Sequence, residues 1–293
     1  MERWFAKNEH KGATLIMLST VAFCIMSGLV RYASGIDPYK TTLFRFIIGL
    51  GMLGTAALFG KIRLSFNHGR LLFLRGLVGS IGILICFWSI STLGVGKGTV
   101  LIYAFPIFGS IFSALLLKEK VGVVRFAAIL TAFVGIYLLA STKNNGSAFL
   151  GIIGKKELLA IVGAMFGGLA LVIVKKLHDT DSSYAIYFSQ CVIGLWVVAV
   201  PANLVPCSIG LSGGLLLVAI GISATVGQLL STEGIKYLDV STGSLLGMLV
   251  PVINYFTGVI IFHETVSWGS VIGSAAVIGS CVIVILKNNN SSK

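Results

Sequence analysis

"FPIFGSIFSALLLKEK" runs from Phe105 to Lys120, and "VPVINYFTGVIIFHET" runs from Val250 to Thr265. Each is an apolar run with a proline near its start and a glutamate at its end. Pro106 and Pro251 lie 145 residues apart, and so do Glu119 and Glu264. The same shift, with no gap, pairs Tyr39 with Tyr184, Gly76 with Gly221, Gly82 with Gly227, Leu93 with Leu238 and Gly98 with Gly243. The chain therefore reads as one unit written twice.

The composition says what solvent surrounds that unit. Of the 293 residues 56% are hydrophobic and only 11% are charged, where a soluble domain carries about 25% charge. A water-facing surface cannot be covered from this inventory, so most of the chain must face lipid. Ten apolar segments are legible, at about 12–34, 40–60, 70–91, 97–117, 122–141, 157–176, 184–204, 213–234, 240–262 and 267–286. Each approaches the roughly 20 residues that cross a bilayer as a helix. The runs are continuous rather than alternating, which excludes a transmembrane barrel. The first is too long for a cleavable signal peptide and is expected to stay in place.

Ten spans divide into five and five across the loop "STKNNGSAFLGIIGKKE", Ser141 to Glu157, giving expected repeats at 1–145 and 146–293. Five is odd, so the second copy enters the membrane from the opposite side. The fold class expected is an all-α integral membrane protein of ten transmembrane helices in two inverted five-helix repeats, together one transmembrane domain. Inverted repeats are a construction plan of secondary transporters, with the substrate near the midplane between the halves.

Loop charges set the orientation. With the N-terminus inside, fifteen basic residues fall on the cytoplasmic side: Arg3, Lys7, Lys11, Lys61, Arg63, Arg70, Arg75, Lys118, Lys120, Arg125, Lys175, Lys176, Lys236, Lys287 and Lys293. Five fall opposite: Lys40, Lys97, Lys143, Lys155 and Lys156. Both termini are expected in the cytoplasm, in a cell inner (plasma) membrane. Topology accounts for the net charge of +12, and nucleic acid is not expected as a partner.

"DPYKTTLFRFIIGLGML" in the second span, "LRGLVGS" opening the third, and the two proline-to-glutamate spans resemble the drug/metabolite transporter superfamily, specifically its EamA-type carriers. The resemblance covers essentially the whole chain. It implies alternating access around a central cavity lined by spans 1, 3, 4, 6, 8 and 9. It also implies that spans 5 and 10 stand to one side, at the surface for a homodimer. Phe44-Arg45 and Arg75-Gly76 match pairs shared by several lines of the family, S-adenosylmethionine uptake carriers among them. His263 stands before Glu264 where many members have Gly.

Pro106 and Pro251 remove a backbone donor inside their spans and are expected to kink them, shaping the cavity or its gating, or merely the packing. Glu119 and Glu264 fall at span ends, where capping the next helix or a loop salt bridge suits them better than a gate. Arg45 either snorkels to the headgroups or faces inward onto a substrate carboxylate or phosphate. Trp88, Tyr103, Gln190, Gln228, Asn254 and Tyr255 supply aromatic walls and placed amides, which suit a small-molecule pocket or serve as glue between helices.

The five cysteines show no metal spacing and read as small packing residues. The four histidines lie in loops or at span ends, no acid lies deep in a span, and no HExxH occurs, so neither an enzyme, a metal nor a cofactor is expected. The expected function is a secondary transporter for a small polar metabolite, such as an amino acid, an amine or a nucleoside-like compound. A channel or structural membrane protein without alternating access is the competing reading. Lacking a deep carboxylate or histidine, the carrier is expected to work by facilitated diffusion, exchange or efflux down a substrate gradient rather than by tight proton coupling.

Overall fold

The computed structural model describes residues 2–33, 35–93, 95–141, 154–204, 209–263 and 266–291. They form twelve α-helices: α1 (Glu2–Tyr32), α2 (Pro38–Leu58), α3 (Gly69–Leu93), α4 (Val95–Ile102), α5 (Phe105–Phe112), α6 (Val123–Ser141), α7 (Lys155–Leu177), α8 (Ser183–Leu204), α9 (Leu211–Tyr237), α10 (Val240–Gly247), α11 (Leu249–Phe262) and α12 (Trp268–Ser291). They supply ten segments long and apolar enough to cross a membrane. The pairs α4/α5 and α10/α11 are the fourth and ninth spans, each broken in two. The expected repeat boundary at 145/146, Glu264, Lys97's side chain and Cys207 fall outside the described residues.

The packing repeats as the sequence does. α1 packs on α9 and α7 on α3, which are equivalent pairings; so are α2 on α9 and α8 on α3. Closest approaches coincide residue by residue. A Cβ added to Gly76 would lie 2.4 Å from Ile193 Cδ1, and one added to Gly221 would lie 2.5 Å from Ile48 Cδ1. Ile48 and Ile193 are themselves 145 residues apart. In lipid no hydrophobic force drives helix on helix, so such glycine-permitted van der Waals contact carries the association.

The fifth and tenth spans, α6 and α12, pack on each other within the chain. A Cβ on Gly135 would meet the Gly273 carbonyl at 2.6 Å, and one on Gly273 would meet the Gly135 carbonyl at 2.4 Å. Only glycine fits this seam, because a carbonyl cannot move aside as a side-chain tip can.

The radial distribution matches a lipid solvent. Leu58, Val123, Leu211, Trp268 and Ile260 are exposed, whereas Ser80, Ser110, Ser113, Thr225 and Thr242 are buried. Ser110 and Ser113 donate to the carbonyls of Pro106 and Ser110 in their own span, whereas the Ser80 and Thr242 hydroxyls have no partner among the described residues.

The bundle has one strongly basic end, where the C-terminal ends of α2, α5, α7, α9 and α12 lie with the N-terminal ends of α1, α3, α6, α8 and α10; Lys118 and Lys120 follow α5, Arg125 lies in the first turn of α6, Lys175 and Lys176 close α7, and Lys236 closes α9. Arg75 corrects the loop-charge tally. By sequence position it belongs with the loop charges, but it lies six residues inside α3 and is only 3% exposed.

Candidate functional site

Helices α4 and α10 both stop midway across the bundle, and new helices begin within two residues. At the first break Ala104 N–H donates to Leu101 O at 3.3 Å; at the second Met248 N–H donates to Leu245 O at 2.9 Å. Both bonds span three residues, the tightened last turn that ends a helix. Pro106 then falls at the second position of α5, and Pro251 at the third of α11. A first-turn N–H has no partner inside its helix, so proline gives up nothing there. Each proline therefore starts a helix after a break, rather than kinking a continuous one as expected from the sequence.

A cavity of about 150 Å³ lies between the two breaks. It is bounded by Ile16, Ser19, Thr20 and Phe23 of α1, Tyr103 and Phe105 at the first break, and Leu171 of α7. Ser231 and Ile235 of α9, and Gly243, Ser244, Gly247 and Val250 beside the second break, complete it. Both halves contribute, from spans 1, 4, 6, 8 and 9; span 3, implied by the resemblance, is not among the described lining. At about 150 Å³ the space is smaller than the roughly 300–1,000 Å³ of ligand clefts.

Of the sequence candidates, Tyr103 borders this cavity. Asn254 instead donates through Nδ2 to Ser27 Oγ at 3.2 Å, linking α11 to α1. Tyr255 is 3% exposed and belongs to the apolar core, with its hydroxyl unpartnered among the described residues. Trp88 is half-buried on α3. The lining hydroxyls of Ser19, Thr20, Ser231 and Ser244 were missed, because single serines in apolar helices carry no pattern. Three of them donate to carbonyls of their own helices: Ser19 and Thr20 to Ile16 O, and Ser244 to Ser241 O.

A second polar layer lies behind Phe23. Arg45 sits with its guanidinium carbon 6.0 Å from the Phe23 ring centre and donates through Nη2 to Gln228 Oε1 at 3.0 Å. Arg75 donates through Nη2 to Gln190 Oε1, also at 3.0 Å. Arg45 is 9% exposed, so it faces inward and does not snorkel. Arg45 and Gln190 occupy equivalent positions 145 residues apart, and each reaches a partner on the other half.

At the basic end, polar contacts tie the halves together. Arg125 of α6 pairs with Asp239 at the head of α10. Glu119 accepts the Val240 N–H at 3.1 Å. It is thus a cap, as its position suggested, but of α10 in the opposite repeat rather than of the helix that follows it. Lys11 donates to the Tyr237 hydroxyl at 3.0 Å. Asn67 and His68 N–H donate to the Asp181 carboxylate at 2.7 and 3.3 Å. Within the second half, Lys175 Nζ donates to the carbonyls of Ile235, Lys236 and Leu238, a cation on the negative end of α9. Burial, with Asp239 nearby, holds the Glu119 carboxyl above its ordinary range. Burial likewise holds His178 below its own, where its Nε2 donates to Thr232 O at 2.8 Å.

The EamA-like transporter family matches the sequence twice, over residues 10–141 and 154–286. Among curated proteins, the pseudopaline exporter CntI of Pseudomonas aeruginosa is 23% identical over 92% of this chain and 94% of its own. Solute carrier family 35 member G1 of Homo sapiens is 24% identical, over 96% of this chain and 81% of its own. The riboflavin transporter of Vibrio cholerae is 28% identical, over 60% of each. One solved crystal structure superposes with a TM-score of 0.83 over 96% of this chain and 99% of that one, at 20% identity, a likeness of fold.

Proposed function

Because the chain belongs to the EamA-like transporter family, a family of transporters and not of enzymes, we propose that it carries a small polar metabolite by alternating access between its two inverted halves. The observation that carries this reading is the cavity lined by both halves beside the two helix breaks, with Arg125–Asp239 and Glu119–Val240 joining the halves at the head of α10. Broken helices confine their flexibility to the midplane, and two antiparallel copies can exchange which end is closed. The basic end is the cytoplasmic one in this account, with both termini there and the protein in the plasma membrane. A homodimer, on this reading, would use the lipid-facing surface of α6 and α12.

Relatives are named for pseudopaline and for riboflavin, two different solutes, so the solute of this chain is read from its own cavity. Hydroxyls and three aromatic rings favour an uncharged or zwitterionic polar solute over an inorganic ion. The test is a thermal-shift screen of metabolites on the purified protein, followed by counterflow of each hit in proteoliposomes. The reading predicts a hit that shows counterflow. Steady single-channel currents, or hits that bind without counterflow, contradict it.

A further inference from the structure

Arg45 and Arg75 enter the bundle from opposite ends. Arg45 is seven residues into α2 from the end opposite the basic one, and Arg75 is six residues into α3 from the basic end. At about 1.5 Å per residue, each backbone lies roughly 10 Å inside its helix end. Their side chains reach neighbouring helices of the second half, Arg75 to Gln190 of α8 and Arg45 to Gln228 of α9.

The Arg75 guanidinium folds back over its own helix. A Cβ at Gly79 would lie 1.9 Å from Arg75 Nη1 and 3.2 Å from Gln190 Nε2, so the guanidinium occupies the space that a side chain at residue 79 would take. Across α8, Gly49 leaves matching space: a Cβ there would meet Cys191 Sγ at 2.8 Å and the Tyr187 hydroxyl at 3.0 Å.

The layer is charged and incomplete. Each guanidinium makes one hydrogen bond to a neutral glutamine amide. Arg45 Nε, Arg75 Nε and Arg75 Nη1 are buried without a hydrogen-bond partner, and no carboxylate pairs with either side chain among the described residues. Arginine cannot shed its proton to escape such a site. Buried charges persist where something of opposite sign completes them. A planar anion taking two parallel N–H bonds fits the guanidinium fork.

We propose that Arg45 and Arg75 form a binding site for a carboxylate group of the transported solute. This deepens the transport reading and rests on it: the solute is polar and carries at least one carboxylate, and its other end lies in the hydroxyl-lined cavity past Phe23. A free inorganic anion such as chloride could supply the same negative charge, so the experiment separates the two.

The test is thermal denaturation of the purified full chain in chloride-free detergent solution at constant ionic strength, titrated separately with sodium acetate, acetamide and sodium chloride. Acetate is expected to raise Tm saturably, and neutral acetamide is not. Arg45→Gln and Arg75→Gln keep an amide donor for Gln228 and Gln190. They are expected to weaken apparent acetate affinity by about 10- to 100-fold, the loss of a charge-assisted hydrogen bond, and to leave Tm without acetate unchanged or higher. Equal shifts from acetate and acetamide overturn the proposal. So does a chloride shift without an acetate shift, which marks an inorganic anion site. Variants that fail to fold, or that melt lower without acetate, assign the arginines to structure and overturn it as well. These outcomes are independent of counterflow, so a transporter lacking the acetate response loses this inference alone.

Discussion

Lys118 and His263 stand 145 residues apart and are the two non-glycine residues with left-handed backbone among those described, at φ 57° and 53°. Each ends its span with its N–H on the carbonyl five residues back, Lys118 on Ser113 and His263 on Gly258. Two unrelated helix ends would not share so uncommon a cap. The inverted repeat is thus written into backbone geometry where the side chains have diverged.

That geometry predicts a paired stabilisation. A side chain at a left-handed position costs about 1–2 kcal/mol that glycine avoids. Both residues are exposed, so little contact is lost on replacing them. Lys118→Gly and His263→Gly should each raise Tm by similar amounts; a rise in one and a fall in the other would break the equivalence.

The seam between α6 and α12 predicts the opposite sign. Gly273→Ala places a methyl 2.4 Å from the Gly135 carbonyl, and overpacking of this kind costs about 1–3 kcal/mol. Gly279, in the same helix, has open space around its Cβ direction. Gly279→Ala should be neutral or gain up to about 1 kcal/mol in helix propensity. Thermal melts of the two variants check the contrast.

Two groups at the basic end set opposite pH slopes. Glu119 is held above the ordinary carboxylate value of 4.5 in the folded protein. Its contribution is therefore full below pH 4.5 and is lost as pH rises through the raised value. His178 is held below 6.5, so its contribution is present above that pH and is lost as pH falls through the lowered value. Melts across pH should show Glu119→Gln removing a decline on the rising side, while keeping an oxygen to accept the Val240 N–H. His178→Gln should remove a decline on the falling side. Unchanged slopes would show that neither group titrates in this way.

The fold was legible because lipid imposes it: continuous apolar runs of span length admit helices alone, and Pro106/Pro251 with Gly76/Gly221 expose the repeat register. The site was legible only in part. Tyr103 lies on the cavity and Glu119 does cap a helix, but which helix it caps depends on how the repeats interlock. Arg75 was misplaced because a charge six residues inside a helix looks, in one dimension, like a loop charge at a span end. The helix breaks were read as kinks, since a proline alone does not reveal that the chain turns before it. Ser19, Thr20, Ser231 and Ser244 gave no signal, because a lone hydroxyl bonded to its own helix is common throughout membrane spans.

Access to the cavity from each side, with the basic end free or locked, tests alternating access without knowledge of the solute. Ser244→Cys places a thiol on the cavity wall, and Arg125→Cys with Asp239→Cys allows a disulfide where the halves meet. In oriented proteoliposomes the Ser244→Cys thiol should react with a membrane-impermeant reagent from either side while the lock is reduced. Once the lock is oxidised it should react only from the side opposite the basic end. Continued reaction from the basic side with the lock closed, or reaction from one side alone with it open, would contradict alternating access through this cavity.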